Sequence, residues 1–131
     1  MSSFALLKTL FSSSSDQAEL KTLGAFVANA ENGTLDKELT ELKTTASKVN
    51  NSSYFGVFKN GVDQNHGLYK DLFDKVLQSN AKSYTEIELN EMNRSFTGLV
   101  STYRDRQMSV LNQVSMRKFG TFVRYGFKLV K

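Results

Sequence analysis

Not one of the 131 residues is proline, although average usage near 5% predicts roughly six or seven in a chain of this length. Every residue therefore keeps its backbone N–H, and no following pyrrolidine ring pushes a residue out of the helical region. Such a chain can run long helices without interruption. Where they lie must then be read from the spacing of its apolar residues.

At the N-terminus, Phe4, Leu7 and Leu10/Phe11 share one helical face, which marks residues 1–15 as a docking segment. The same stretch is Ser-rich and carries no acid before Asp16, a weakly targeting-like composition, but it holds Lys8 and no Arg. Serines 12–15 close it. Leu20, Leu23, Phe26, Val27 and Ala30 then recur at helical spacing behind Asp16 and Glu19, whose charges suit a first turn. Gly33 reads as the stop and Thr34 as the next start. Leu35, Leu39, Leu42, Ala46 and Val49 form the following stripe, ended by the polar run 50–53.

Residues 54–67, YFGVFKNGVDQNHG, are the least helical on sequence. Asn60-Gly61 is a strong hairpin signal, yet VDQNHG makes a poor second arm, so an irregular loop or short helical turn competes with the hairpin. Leu68, Leu72/Phe73 and Val76/Leu77 mark an amphipathic helix beyond it. Ser83 and Glu86 have capping-box spacing. From there Leu89, Met92, Phe96, Leu99/Val100, Tyr103, Val110/Leu111 and Val114 trace one stripe. A helix over 84–116 would span about 50 Å at ~1.5 Å per residue. Its heptad d positions turn polar at Arg106 and Gln113, which favours a bundle helix over a coiled coil. The fold class expected is mainly α, a small helical bundle forming one domain over 1–131. The alternative is α+β, with a small sheet built from 54–62 and 119–130.

Little here asks for catalysis. Cysteine is absent and His66 is the single histidine, so nucleophile–base schemes and zinc sites lack their usual donors. Asp63 and His66 alone make no metal site, and no glycine-rich phosphate cradle is present. Carboxylate pairs such as Asp71/Asp74 lie on periodic segments with Lys or Arg nearby, as surface charge does. No enzyme, catalytic residue, cofactor, metal or small-molecule substrate is indicated. No run of 18 apolar residues occurs, so no membrane-spanning helix is expected.

Charge is unevenly placed. Residues 94–131 hold eight basic side chains against Asp105, or +7, while the first 93 hold nine Lys against twelve acids, or −3. The chain closes on MRKFGTFVRYGFKLVK, residues 116–131. As a helix, this segment gathers Phe119, Phe122, Val123 and Phe127 on one side and Arg117, Arg124 and Lys128 on the other, set off from the long helix near Gly120. As a strand, Lys118, Phe122, Val123 and Tyr125 match by position the RNP1 strand that KFGTFVRY resembles in RNA-recognition domains. Phe119 and Gly120 stand in swapped order, however, and the preceding chain supplies no neighbouring strands.

The expected role is a non-enzymatic assembly or adaptor protein that meets a partner protein or its own copies through helix faces and the basic, aromatic segment 117–131. Candidate partner- or anion-binding residues are Arg104, Arg106, Arg117, Lys118, Arg124 and Lys128, with Phe119, Phe122, Tyr125 and Phe127. Sequence-nonspecific nucleic-acid binding through the Arg/Lys-rich C-terminal third is the alternative. Attachment to an anionic membrane surface through residues 1–11 or 117–131 is the second.

Overall fold

The computed structural model describes residues 3–12 and 18–120, and among these residues it contains five α-helices and no strand. They are α1 (Ser3–Ser12), α2 (Ala18–Glu31), α3 (Thr34–Ser47), α4 (Ser53–Ser79) and α5 (Glu86–Phe119), with one 3₁₀ turn at Ala81–Ser83. The helical bundle is therefore the fold, and the long helix expected over about 84–116 is present as Glu86–Phe119. The stretch 54–62 is helical, so the sheet alternative loses its first arm. Its second arm, beyond Gly120, lies outside the described residues.

Local chemistry sets the helix ends. Gly33 takes φ 86°, which turns the chain between α2 and α3, and Asn32 Oδ1 accepts the Thr34 N–H at 2.9 Å. Asn51 Oδ1 accepts from both the backbone and the hydroxyl of Ser53 as α4 begins. The capping box of α5 is formed by Thr85 and Glu88, not by Ser83 and Glu86. Thr85 Oγ1 accepts the Glu88 N–H at 3.1 Å, and Glu88 Oε1 accepts the Thr85 N–H at 2.9 Å. Ser83 is spent closing the 3₁₀ turn. At the other end Gly120, φ 68°, donates its N–H to the Met116 carbonyl and stops the helix where sequence placed the break.

The 34 residues of α5 make it about 51 Å long at ~1.5 Å per residue. That is enough for two hydrophobic clusters along one helix. The first cluster joins Leu7, Leu10 and Phe11 of α1 and Leu20, Leu23, Phe26 and Val27 of α2 to Phe73, Val76, Met92, Phe96 and Val100. The second joins Ala46, Phe55 and Val62 to Met108, Leu111 and Val114, with Phe58 and Phe119 packed on its edge. The N-terminal segment is thus core. Leu7, Leu10 and Phe11 of its predicted face are buried, and α1 packs against α2 and α5.

Phe96 is the hub of the first cluster. It stacks on Phe73 with centroids 4.3 Å apart and rings 9° from parallel, and it meets Phe11 and Phe26 edge-on at 6.2 and 6.0 Å. Both geometries suit the ring quadrupole. Phe96 is fully buried. Phe96→Ala is expected to cost ~3–5 kcal/mol, a large share of the stability of a domain this size, with Leu99→Ala costing less because Leu99 is only partly buried. Denaturant unfolding of the two variants tests the ranking.

Candidate functional site

Of the four described basic residues singled out on sequence, Arg104, Arg106 and Lys118 are held by the chain itself. Arg104 Nε donates to Asp63 Oδ1 at 2.7 Å and its Nη1 to Asp105 Oδ1 at 3.2 Å. Arg106 Nη2 lies 2.7 Å from Asp36 Oδ1. Lys118 Nζ donates to the Ser47 carbonyl at 2.6 Å. That contact supplies a cation to the C-terminus of α3, whose own last turn has no basic residue. Arg117 is exposed on the last turn of α5, and Phe119 packs edge-on against Phe55 with centroids 5.9 Å apart. Arg124, Lys128, Phe122, Tyr125 and Phe127 lie outside the described residues.

A second grouping was not foreseen. α3 and α4 both pack on α5 but touch each other little, and a polar cavity of about 170 Å³ opens between them. Its walls are Glu38 from α3, Val62, Asn65, His66 and Tyr69 from α4, and Val100, Tyr103, Arg104 and Gln107 from α5. Val62 belongs to one hydrophobic cluster and Val100 to the other, so the cavity sits where the two cores meet. Sequence reasoning missed it because its members come from three helices. The one available signal was a row of polar residues, Lys59, Asp63 and His66, along α4 at helical spacing.

Tyr103 donates its hydroxyl to Glu38 Oε2 at 3.0 Å. Burial, and then the hydrogen bond to Glu38, push the Tyr103 phenol pKa well above its ordinary value. Tyr69 moves the same way, by burial and then by the charge of Glu38. Both phenols are neutral at physiological pH. His66 Nε2 lies 3.3 Å from Ser101 Oγ. Burial, then the charges of Arg104 and Lys70, hold the imidazole below its ordinary pKa, against weaker opposing pulls from Asp63 and Asp105. Deeper along the same groove Lys59 is only 5% exposed, and burial lowers its pKa while Asp63 opposes. Asn112 is also buried, and its Oδ1 has no hydrogen-bond partner among the described residues.

The Ser101–His66 pair looks at first like a nucleophile beside a base. Ser101 stands in the interior of α5, where the backbone N–H groups are committed to the helix and leave no oxyanion hole. Asp63, the nearest orienting carboxylate, is held by Arg104. The pair therefore reads as a hydrogen bond between helices. Among the described residues no three His, Cys, Asp or Glu side chains gather to hold a metal ion, and no helix is long and apolar enough to cross a membrane. No protein-family model, curated protein or solved structure significantly matches this chain.

The depressed pKa of His66 has a sign. Below pH 6.5 the unfolded chain binds a proton on this histidine that the folded chain still excludes. Its neutral, half-buried state therefore contributes stability at neutral pH that is lost as pH falls below 6.5 through the folded value. His66→Gln is expected to flatten the loss of stability in that window, and NMR titration of the single imidazole should give a midpoint below 6.5. A midpoint at or above that value would contradict the packing described.

Proposed function

We propose that the chain is a non-enzymatic assembly protein that pairs with a second copy of itself through the outer face of α4. One observation carries this reading. From Ser53 to Tyr69 the only Asp, Glu, Lys or Arg residues are Lys59, which is buried, and Asp63, which is held by Arg104, while the half-buried His66 is turned toward Ser101 of α5. The outer face over these turns is uncharged, and it presents Tyr54, Val57 and Leu68 at 55%, 65% and 53% exposure. These three fall within about 60° of one another around the helix at ~3.6 residues per turn. Exposed large apolar residues collected on one uncharged face mark an interaction surface rather than ordinary scatter.

Glycine adds support. Gly56, Gly61 and Gly67 lie inside α4, where each costs about 1 kcal/mol relative to Ala. A Cβ placed on any of them would meet nothing within 4 Å, so the packing of this chain alone does not require them. Gly61 stands seven residues from both Tyr54 and Leu68. An antiparallel two-fold pairing crossed at Gly61 would bring Tyr54 of one copy beside Leu68 of the other, and the reverse. That is the isologous arrangement most dimers use.

Two observations weigh against the other readings. Arg104, Arg106 and Lys118 already have intramolecular partners, which an anionic polymer would have to displace. Leu7, Leu10 and Phe11, the apolar face a membrane would need from residues 1–11, are spent inside the bundle.

Sedimentation velocity across a hundredfold range of concentration tests the proposal. The wild-type chain should shift from monomer to dimer, and Leu68→Glu should shift the midpoint at least tenfold upward while leaving thermal unfolding unchanged. A monomer throughout, or a Leu68→Glu variant that pairs as the wild type does, would sink it.

A further inference from the structure

Asn-Gly occurs twice in the chain, at Asn32-Gly33 and at Asn60-Gly61. Asparagine is thermolabile because its side-chain amide lies within reach of the backbone nitrogen that follows it. Glycine in the following position has no Cβ to block that approach. The fold treats the two pairs in opposite ways.

Asn60 and Gly61 lie inside α4. In a helix each Cα–Cβ bond tilts toward the N-terminus, which directs the Asn60 side chain away from the nitrogen of Gly61. That N–H is also committed to the helical ladder. Attack there requires α4 to open first.

Asn32 and Gly33 form the turn between α2 and α3, and both are exposed. The backbone hydrogen bonds of this turn run from the Asn32 N–H to the Ala28 carbonyl and from the Lys37 N–H to the Gly33 carbonyl. The Gly33 N–H takes part in neither and has no partner among the described residues. The Thr34 N–H donates to Asn32 Oδ1 at 2.9 Å. That contact polarises the amide carbonyl and is placed to receive the negative charge that attack develops on its oxygen. A Cβ placed on Gly33 would meet nothing within 4 Å, so the turn is open to water.

From the exposed amide, the free Gly33 N–H and the donor already seated on Asn32 Oδ1, we propose that this turn is a site of self-modification. With its proton lost to solvent base, the Gly33 nitrogen bonds to Asn32 Cγ. The tetrahedral centre collapses by breaking Cγ–Nδ2, and ammonia leaves with a proton taken from water. The cyclic imide then adds water at one of its two carbonyls. Opening at Cγ gives aspartate, and opening at the backbone carbonyl gives isoaspartate, in which the main chain runs through Cβ and Cγ. Aspartate keeps an acceptor for Thr34. Isoaspartate lengthens the junction by a methylene just ahead of Leu35, the residue that α3 gives to the first hydrophobic cluster. The chemistry needs no second copy of the chain.

Peptide mapping by mass spectrometry, with electron-transfer fragmentation to separate the two products, tests this on the full chain held at physiological temperature and mildly alkaline pH. In the folded protein Asn32 should convert at least tenfold faster than Asn60, with isoaspartate as well as aspartate formed. In denaturant the two sites should convert at similar rates. Gly33→Asn tolerates the left-handed turn but places a Cβ beside the attacking nitrogen, and it should slow conversion of Asn32 at least tenfold. The wild-type comparison of folded and denatured chains decides the matter should that variant fail to fold. An Asn32 stable in the folded chain yet reactive in denaturant, equal folded rates at both sites, aspartate without isoaspartate, or an unchanged rate in folded Gly33→Asn would each overturn it.

Discussion

The shared wall of the structure is α5. Two hydrophobic clusters, one drawing on α1, α2, Leu35 of α3 and the second half of α4 and the other on Ala46 of α3 and the first half of α4, are both completed by side chains of this one element. Its continuity over Glu86–Phe119 rests on the absence of proline and on sound ends, a reciprocal Thr85–Glu88 cap and a left-handed Gly120. Glu86 and Glu88 in the first turn and Arg117 and Lys118 in the last oppose the helix dipole at both ends. Part of the charge asymmetry of the chain is thus the ordinary electrostatics of a long helix. Arg104 and Arg106 take up more of it by tying α5 to α4 and α3.

A straight helix cannot keep one narrow face toward two sets of neighbours over this length. Between Val100 and Met108 the buried side of α5 rotates, and the residues at the changeover are Tyr103, Arg104 and Gln107. Because α3 and α4 lean on α5 more than on each other, that changeover is left as a polar cavity instead of a packed core. The polar groups there are satisfied by cross-helix pairs, Tyr103 to Glu38, His66 to Ser101 and Arg104 to Asp63. Each pair also fixes the rotation of one helix against another. The polar groups at the cavity are therefore the same ones that set the register of the bundle.

Much of this was legible in the residues. Gly33, Thr34, the stripe of α2 and the stop at Gly120 stand where spacing and turn chemistry placed them. The middle of the chain was not legible, for a definite reason. The buried face of α4 runs Phe55, Lys59, Val62, His66, Tyr69, Phe73 and Val76, so two polar residues interrupt the apolar rhythm. Asn60-Gly61 then reads as a turn, although Gly61 has no positive φ and sits inside a helix. Burial of the Lys59 stem and of His66 supplies the missing contacts, and tertiary packing overrides local preference. Leu68 shows the converse error. It fits an apolar spacing but faces out, and the true stripe begins at Tyr69. The cavity had no sequence signal of its own, since Glu38 lies 65 residues from the Tyr103 it accepts from.

A core built as two clusters on one helix makes a specific demand on cooperativity. If α5 joins them into one unit, the polar changeover must be as protected as the apolar turns on either side, even though its side chains are half-exposed. Amide hydrogen exchange along α5 measures this directly. A single cooperative unit predicts that the amides of Ser101–Gln107 exchange at the same slow rate as those of Met92–Val100 and Met108–Val114. Fast exchange confined to Ser101–Gln107, between two protected blocks, would show two independent halves and contradict the shared wall on which the rest depends.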